Sequence, residues 1–561
     1  MLALLALCLA VYLPGIIRLP AVDRTEVIYA ETTRDMVARG NWLDPRYGDA
    51  VHAFRPIGTF WAQGLAATVA GANNARNISV YRIPALVAVT LSVLALYWLT
   101  IPIIGSNAAL IASGLFAVAP LTVVVANLAI AEGLSLLPAT VAMLSLLRIY
   151  IAPRDDDTHR LAMLFWIALG FGVLINALLV PILVIATLIA LRFVDRDLWW
   201  LEKLNAAGGL PIALIIAAPW IIVRFLQDGF PFAGLDFAGV VRALGGAQDM
   251  KLRAWPGTFV LASALGFLPG TALLAPALAK LSNECDSKLA RFLLAWIIGY
   301  LIYLEAISSK PGTYMVQTMF PAFAIAVAML VSSEDGKLPL PKFHAIPWPP
   351  LAALFAAVLL AAPYAVLRES PPAWAVIIFG AVATLFYLSA HEGRAGHLVR
   401  WAGFGVAALA LFAITLLGGV LPGISKIWPM QQIQRALAHC PAAPVGILGF
   451  VEPTSRFVFK FDSKLSTGQG LGQLADNTVS GFAVISDYWN QQNPHALNRN
   501  QSTKIRPIAC MHTIDPMRAC SLTLTVVAST IAPPCPVPPE FACNEEFLLQ
   551  SGAPGRLRIC E

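Results

Sequence analysis

The feature that most constrains this chain is the repetition of long apolar stretches separated by short polar loops. Most of these stretches approach the ~20 residues that an α-helix needs to cross the hydrocarbon layer of a membrane. Because 58% of the residues are hydrophobic and only 12% are charged, a water-soluble fold could not bury the apolar surface. The sequence therefore predicts an α-helical polytopic membrane protein with about thirteen spans. The predicted spans are 1–17, 82–103, 107–126, 133–151, 161–176, 177–193, 208–225, 257–280, 289–307, 314–332, 348–366, 373–390 and 401–422.

Basic residues in the short loops predict which side of the membrane each loop faces. Lysines and arginines mark alternate loops as cytoplasmic by the positive-inside tendency. The first long loop, the loop at 226–256 and the tail after the last span would then face outward. Residues 1–17 have neither a basic n-region nor an A-x-A site, so we expect an uncleaved span. The predicted cytoplasmic basic residues are Arg154, Arg160, Arg192, Arg196, Lys203, Lys280, Lys288, Arg291, Lys337, Lys342, Arg394 and Arg400.

The first outward loop combines arginines and carboxylates but has no lysine. Eight arginines occur between Arg18 and Arg82, and six acidic residues are interleaved with them. A guanidinium group offers a planar fork of donors that binds phosphate in two places, which an ammonium group cannot do. This pattern predicts a binding site for an anionic lipid headgroup at the membrane surface. We expect no nucleic-acid partner, because the chain contains no nucleic-acid-binding motif.

Two juxtamembrane helices are predicted within residues 19–81. The segment Glu26–Arg39 has a helical pattern that Gly40 is placed to end. A second helix is predicted to begin at Pro56, because proline is favoured at the first helical position. Its apolar residues suit a helix that lies in the membrane interface; they are Ile57, Phe60, Trp61 and Leu65.

The tail, residues 423–561, is predicted to be a separate, mixed α/β domain. Residues 430–440 are expected to be helical, and residues 445–451, 456–461, 481–489 and 521–528 are expected to form strands. Six of the eight cysteines fall in this tail, which is typical of disulfides in an oxidising compartment and leaves fifteen pairings open. The alternative is a cytosolic domain with free buried thiols. The six are Cys440, Cys510, Cys520, Cys535, Cys543 and Cys560.

Several segments, in order, resemble one known superfamily. They are DRTEVIYAETTRDMVARGNW, FRPIGTFWAQ, ANLAIAEGLSLLPAT, APWIIVRFLQDGFPF, WPGTFVLASALGFLPG and EAISSKPGTYMVQTMFPAFA. Together they resemble the bacterial polytopic glycosyltransferases of the aminoarabinose-transferase and protein O-mannosyltransferase superfamily, which have the GT-C fold. The resemblance covers roughly the first 330 residues. It implies transfer of a sugar from a polyprenyl phosphate to lipid A, a glycan or a protein on the periplasmic face of the inner membrane.

The resemblance also implies site residues, although several family positions differ here. Glu26, Tyr29, Lys310 and Tyr314 match the family pattern. Replacements stand at five positions: Thr25 for the usual catalytic aspartate, Ile28 for an arginine, Arg55 for a lysine, Glu132 for an aspartate, and Asn176-Ala177 for an intramembrane Lys-Gly-Pro. The catalytic candidates are therefore Asp23, Glu26 and Glu132. The candidates for binding the donor phosphate are Arg24, Tyr29, Arg55, Arg253, Lys310 and Tyr314.

Each candidate has a simpler structural interpretation. Asp23 and Glu132 could cap helices, and Glu26 could be a first-turn partner of the helix dipole. Arg55 and Lys310 could extend toward lipid phosphates without any specific role. We assign no metal ligand and no cofactor, because the spacing of His52, Asp49 and Glu132 does not indicate a site, and the use of a divalent metal stays open.

Three functions are compatible with the sequence. The first is an inverting glycosyltransferase that uses a polyprenyl-phosphate sugar and modifies lipid A or another envelope glycan. The second is a non-catalytic lipid-binding protein or a transporter of lipid-linked sugars, which the replaced family positions would favour. The third is a protein O-mannosyltransferase.

Overall fold

The computed structural model describes most of the chain and divides it into two compact units. The first unit comprises Met1–Leu19, Thr32–Ala362 and Ser370–Val420, and the second comprises Pro20–Glu31, Pro363–Glu369 and Leu421–Glu561. The predicted division into residues 1–422 and 423–561 stays a prediction. The described residues are 1–22, 24–47, 50–51, 56–195, 199–228, 255–306, 313–333, 348–367, 371–449, 453–459, 464–493, 504–515, 520–532 and 535–543.

Among the described residues before residue 421, the regular structure is helical apart from one short hairpin. The hairpin pairs β1 (Arg46–Tyr47) with β2 (Ala50–Val51). The helices are α1 (Leu2–Arg18), α2 (Arg24–Arg39), α3 (Gly58–Ala70), α4 (Ile78–Val118), α5 (Pro120–Ala126), α6 (Ala131–Ile151), α7 (His159–Ile175), α8 (Leu179–Val194), α9 (Ala206–Asp228), α10 (Thr258–Gly266), α11 (Thr271–Asn283), α12 (Lys288–Ala306), α13 (Phe320–Val331), α14 (Trp348–Leu367), α15 (Ala373–Arg394) and α16 (Leu398–Thr415).

Many of these helices have the length and composition of membrane spans. Among the described residues, six helical segments are long and apolar enough to cross a membrane, and α10 with α11 makes a seventh if that bent pair is one span. Shorter apolar helices, including α1, α7 and α8, accompany them. The predicted class, an α-helical polytopic membrane protein, is confirmed, whereas the count of thirteen spans stays a prediction.

Four predicted spans have a different form in the structure. The stretch predicted as two spans at 82–103 and 107–126 is the long helix α4, kinked at Gly105, followed by α5. The span predicted at 257–280 is broken into α10 and α11, which meet at 112°. The span predicted at 314–332 begins with a 3₁₀ segment, Thr313–Met319, before α13.

Buried side chains join these helices across long sequence separations. The Tyr12 hydroxyl on α1 donates a hydrogen bond of 2.7 Å to the Ala117 carbonyl on α4. The fully buried Arg82 guanidinium donates to the Leu19 carbonyl at 2.5 Å, which ties α4 to the C-terminal end of α1. A buried guanidinium needs hydrogen-bond partners because its desolvation is costly, so these contacts fix the junction between α1 and the first loop.

The second unit contains a four-stranded mixed sheet with helices. Its strands are β3 (Val445–Leu448), β4 (Phe482–Ser486), β5 (Ile505–Asp515) and β6 (Cys520–Ser529), in the order β3-β4-β6-β5. β3 and β4 are parallel, and the other pairs are antiparallel. Apolar clusters cover both faces of the sheet, one around Ile433 and Val526, the other around Leu465 and Ala483. The helices are α17 (Pro429–Ala436), α18 (Pro453–Val458), α19 (Gly468–Ala475) and α20 (Asp487–Gln492).

The tail predictions are partly confirmed. Helix α17 and strands β3, β4 and β6 overlap the predicted elements. The predicted strand at 456–461 is wrong, because residues Pro453–Val458 form α18. Pro453 stands at the first position of α18, where proline favours a helix. Strand β5 and helix α19 were not predicted at all.

Two disulfides connect distant parts of the tail. Cys440 pairs with Cys535, and Cys510 on β5 pairs with Cys543. The predicted presence of disulfides is confirmed for these four cysteines. The pairing of Cys560 lies outside the described residues.

Candidate functional site

The first group of predicted site residues lies at the start of α2, in the second unit. The Glu26 side chain is fully buried, and its Oε2 accepts a hydrogen bond of 3.2 Å from the Val22 amide. Tyr29, one turn later, is also buried, and Arg24 is partly exposed. Glu26 therefore closes the N-terminal turn of α2 onto the preceding chain, as an acid in the first turn of a helix commonly does.

Four predicted site residues cannot be placed. Asp23, Arg55, Arg253 and Lys310 lie outside the described residues. Their roles in catalysis and phosphate binding therefore stay predictions, as does the interpretation of Asp23 as a helix cap.

In the first unit, the later arginines of the first loop lie beside its acids. The Arg46 Nε is 2.5 Å from the Asp44 Oδ2, and the Arg39 Nη1 is 3.8 Å from the same oxygen. The Arg34 Nη2 is 3.4 Å from the Asp35 Oδ1. The Asp44 side chain is only 10% exposed, so this pairing is shielded from solvent on the carboxylate side. Local acids thus neutralise part of the arginine charge that suggested a phosphate site.

A buried polar chain connects α2, α3 and the segment before α6. The Thr33 hydroxyl donates to the Gln63 Oε1 at 2.9 Å, and the Gln63 Nε2 donates to the Ala129 carbonyl at 2.9 Å. Thr33 and Gln63 have no exposed surface. Because each buried group is costly without a partner, this chain holds the three segments in one arrangement.

The same region positions the predicted catalytic residue Glu132. Glu132 lies in the first turn of α6 and is partly exposed. The Gln317 Nε2 donates to its carbonyl oxygen at 3.0 Å, from the 3₁₀ segment that also contains the partly exposed Tyr314. The structure therefore brings the segments of Glu132 and Tyr314 together in the first unit, and it fixes the backbone of Glu132 while part of the residue stays accessible.

Gly133 controls how closely α6 approaches α5. A Cβ atom at Gly133 would lie 2.6 Å from the Val125 carbonyl oxygen, which is a backbone atom and cannot move aside alone. We predict that Gly133→Ala shifts the first turn of α6 and lowers both activity and thermal stability. Gly380→Ala is the matched control, because a Cβ at that helical glycine meets no atom within 4 Å. The control should be neutral or stabilising by about 0.5–1 kcal/mol. If both variants melt at the wild-type temperature, the close approach has no energetic role.

The role of Gln63 can be tested separately. Gln63→Met removes the acceptor of the Thr33 hydroxyl and a donor to the Ala129 carbonyl, so both side-chain hydrogen bonds of Gln63 are lost. We expect a loss of about 1–3 kcal/mol in stability, since the buried Thr33 hydroxyl loses its acceptor. Thr33→Val removes one bond and should cost less. Thermal unfolding in detergent measures both, and equal losses for the two variants would contradict the chain of bonds described above.

Sequence reasoning missed Gln63, Gln317 and Glu305. The Glu305 carboxylate accepts from the Gly257 amide at 3.0 Å and from the Phe259 amide at 2.9 Å, and so caps the N-terminus of α10. A chemical signal for them was available in the sequence. Amides and acids inside or beside apolar spans cost free energy to desolvate, so they usually have a hydrogen-bond partner. That signal indicates a buried contact but does not give the partner.

The structure gives no metal centre in the part of the chain that it describes. Among these residues no group of three or more histidine, cysteine, aspartate or glutamate side chains could hold a metal ion.

Comparison of the sequence with known proteins finds one matching family and a group of similar enzymes. The family described as dolichyl-phosphate-mannose-protein mannosyltransferase matches residues 54–223. A protein of Erwinia tasmaniensis named undecaprenyl phosphate-alpha-4-amino-4-deoxy-L-arabinose arabinosyl transferase is 26% identical over 432 residues, which is 74% of each chain. A protein of the same name from Pectobacterium carotovorum is 23% identical and covers 81% of this chain and 84% of its own.

Comparison of the structures extends the likeness to nearly the whole chain. The crystal structure of ArnT from Cupriavidus metallidurans bound to undecaprenyl phosphate matches with a TM-score of 0.74 over 95% of this chain and 99% of its own, at 17% identity. The apo structure of the same protein matches with a TM-score of 0.72. The predicted GT-C fold is therefore confirmed, and so is the resemblance that predicted it.

Proposed function

We propose that this chain, a GT-C glycosyltransferase of the aminoarabinose-transferase type, moves a sugar from a polyprenyl-phosphate donor to lipid A or another envelope glycan. The observation that carries the proposal is the agreement of the fold over nearly the full chain with a protein solved with undecaprenyl phosphate bound. The names of the similar sequences give the donor class as an undecaprenyl-phosphate-linked aminopentose.

The proposed reaction is a single displacement at the anomeric carbon. The acceptor oxygen forms a bond to that carbon while the bond from the carbon to the phosphate oxygen breaks. The polyprenyl phosphate leaves with the electron pair, and a carboxylate takes the proton of the acceptor hydroxyl. A positioned base typically contributes 10²–10⁴-fold to such a step, and cations stabilise the negative charge on the departing phosphate.

We assign the base to Glu132 in the first instance. Its side chain is partly accessible and its backbone is fixed by Gln317, whereas Glu26 is fully buried against the Val22 amide. Glu26 is therefore proposed as a positioning residue of the first loop, and Asp23 is the alternative base. The proposed phosphate-binding residues remain Arg24, Tyr29, Arg55, Arg253, Lys310 and Tyr314.

We further propose that the protein lies in the inner membrane, with the reaction and the tail on the periplasmic side. Two observations support this orientation. The tail contains disulfides, which persist in an oxidising compartment. The short loops on the opposite side of the predicted spans carry the lysines and arginines, as cytoplasmic loops do.

A protein acceptor is the second candidate. The family model that matches residues 54–223 is described by transfer of mannose to protein, and this observation favours a protein O-mannosyltransferase. The two candidates share the donor chemistry and differ in the acceptor.

One reconstitution separates these candidates. The purified full chain is mixed with undecaprenyl-phosphate aminoarabinose, or with polyprenyl-phosphate mannose, in the presence of lipid A or a protein acceptor, and the products are resolved by mass spectrometry. We expect an aminopentose on lipid A. Mannose on protein would select the second candidate. Tight binding of each donor without turnover in any combination would show a lipid-binding protein without catalysis and overturn the proposal.

A further inference from the structure

A group of cations surrounds one tryptophan at the ends of several helices of the first unit. The Arg154 Cζ lies 5.3 Å from the centre of the Trp199 ring, the Lys203 Nζ 5.5 Å and the Lys288 Nζ 5.6 Å. Since all three distances are measured to the same ring, no two of these charges are further apart than about twice that distance. Residues from three separate segments of the chain thus concentrate positive charge around one indole.

The neighbouring acid, Asp195, forms its ion pair with Arg291, which is not one of these three cations. The Asp195 carboxylate already accepts from the Tyr150 hydroxyl at 2.5 Å and from the Arg291 guanidinium at 2.9 Å. Lys203 donates instead to backbone carbonyls, those of Pro153 and Asp156. Within the described residues, no carboxylate forms an ion pair with Arg154, Lys203 or Lys288. Exposed acids also stand next to these cations in the sequence; they are Asp155, Asp156, Asp157 and Glu202.

The cluster lies at the end of α6 that is opposite to Glu132. Helix α6 has 21 residues from Ala131 to Ile151, and Arg154 is the third residue after its end. At 1.5 Å per residue the two ends are about 30 Å apart, which is the thickness of the hydrocarbon layer. Trp199 follows α8, and Lys288 is the first residue of α12, so the cluster marks the ends of membrane helices. Tryptophan and basic residues at such ends lie at the level of the lipid headgroups.

We propose that this cluster binds the phosphate of an anionic glycerophospholipid in the leaflet opposite to the sugar-transfer side. The guanidinium and the two ammonium groups bind the phosphodiester, and the indole holds them together at headgroup depth. Two strongly exposed apolar residues near the end of α8, Ile189 and Phe193, provide a surface for an acyl chain. A soluble phosphate has no acyl chain that could cover that apolar surface. This site is separate from the proposed donor site and does not depend on it.

Native mass spectrometry of the purified full chain tests the proposal. Phosphatidylglycerol, phosphatidylcholine and glycerol phosphate are titrated in separate arms. We expect phosphatidylglycerol to bind more tightly than phosphatidylcholine and glycerol phosphate to bind weakly. The triple variant Arg154→Gln, Lys203→Gln, Lys288→Gln should lose about 100-fold in affinity for phosphatidylglycerol, since each cation near a membrane surface contributes about 1 kcal/mol. The single variant Lys288→Gln should lose about fivefold and serves if the triple variant does not fold.

The matched control removes the same charge elsewhere. Arg160→Gln, Arg394→Gln, Arg400→Gln replaces three exposed arginines of the predicted cytoplasmic loops and should keep the wild-type affinity. The proposal is overturned if this control loses as much affinity as the cluster variants, if Lys288→Gln has no effect, or if glycerol phosphate binds as tightly as the lipid.

Discussion

Glu132→Gln is expected to lower the rate of sugar transfer by about 10²–10⁴-fold, because glutamine cannot accept the proton of the acceptor hydroxyl. The substitution keeps the size of the side chain, and the bond from Gln317 reaches the backbone carbonyl of residue 132, so the local fold should survive. We therefore expect an unchanged melting temperature and an unchanged affinity for the donor. The loss should appear in kcat rather than in KM, since it affects the chemical step.

Matched variants distinguish a general effect of lost charge from a loss of the base. Glu284→Gln, at an exposed acid after α11, should leave kcat unchanged. Glu26→Ala should lower thermal stability, because the Val22 amide loses its side-chain acceptor and the buried volume of the Glu26 side chain is left unfilled. If Glu132→Gln retains near-normal kcat while Asp23→Asn does not, the base belongs to the first loop and our assignment of Glu132 is wrong.

The second large effect is expected on the stability of the tail when a disulfide is removed. Cys510–Cys543 closes a loop with a sequence separation of 33 residues, and Cys440–Cys535 one of 95. Restriction of the unfolded chain stabilises the fold by about 3–4 kcal/mol for the shorter loop and about 4–5 kcal/mol for the longer. Removing the shorter bond with Cys510→Ser, Cys543→Ser should therefore raise the opening of β5 and β6 by more than about 100-fold.

Hydrogen exchange of the full chain, resolved by mass spectrometry, measures this opening locally. We expect faster exchange in β5 and β6 for the double variant and for reduced wild-type protein. Cys285→Ser is the control, because Cys285 is a free and exposed cysteine in the first unit. If β5 and β6 exchange at the same rate in the double variant as in the wild-type protein, this disulfide does not stabilise the sheet.

Much of the fold was predictable from the sequence, and the exceptions have physical causes. Apolar length predicts a span, but it does not show where a helix bends. Gly105 has a positive φ of 78° inside α4, and the segment between α10 and α11 turns by 112° within an unbroken apolar run. In the tail, the residues Arg456–Phe461 suit a strand by composition, yet the preceding proline starts a helix there.

The candidate site was predictable in its residue types but not in its contacts. An acid in the first turn of a helix was apparent at both Glu26 and Glu132. Burial separates them, since Glu26 is enclosed and Glu132 is partly exposed, and burial depends on tertiary neighbours. Gln317 lies inside a predicted span, and only the fold shows that its partner is the carbonyl of a residue 185 positions earlier.

Helix α3 was predicted from its sequence, but the surroundings of its apolar face were not. Its apolar residues predicted a helix resting in the membrane interface, and a helix does occur at Gly58–Ala70. Ile57 and Phe60 are buried within the protein, whereas Leu65 and Val69 are exposed. The pattern identifies an apolar face, but it does not distinguish contact with protein from contact with lipid.

The most direct test of the central claim is the stereochemistry and stoichiometry of one transfer reaction. Purified protein is given the α-linked undecaprenyl-phosphate aminopentose together with lipid A. NMR measures the anomeric configuration of the sugar on lipid A, and mass spectrometry counts the undecaprenyl phosphate released. A single displacement predicts a β-linked product and one undecaprenyl phosphate for each sugar transferred. An α-linked product, or sugar transfer without release of the lipid phosphate, would contradict the account.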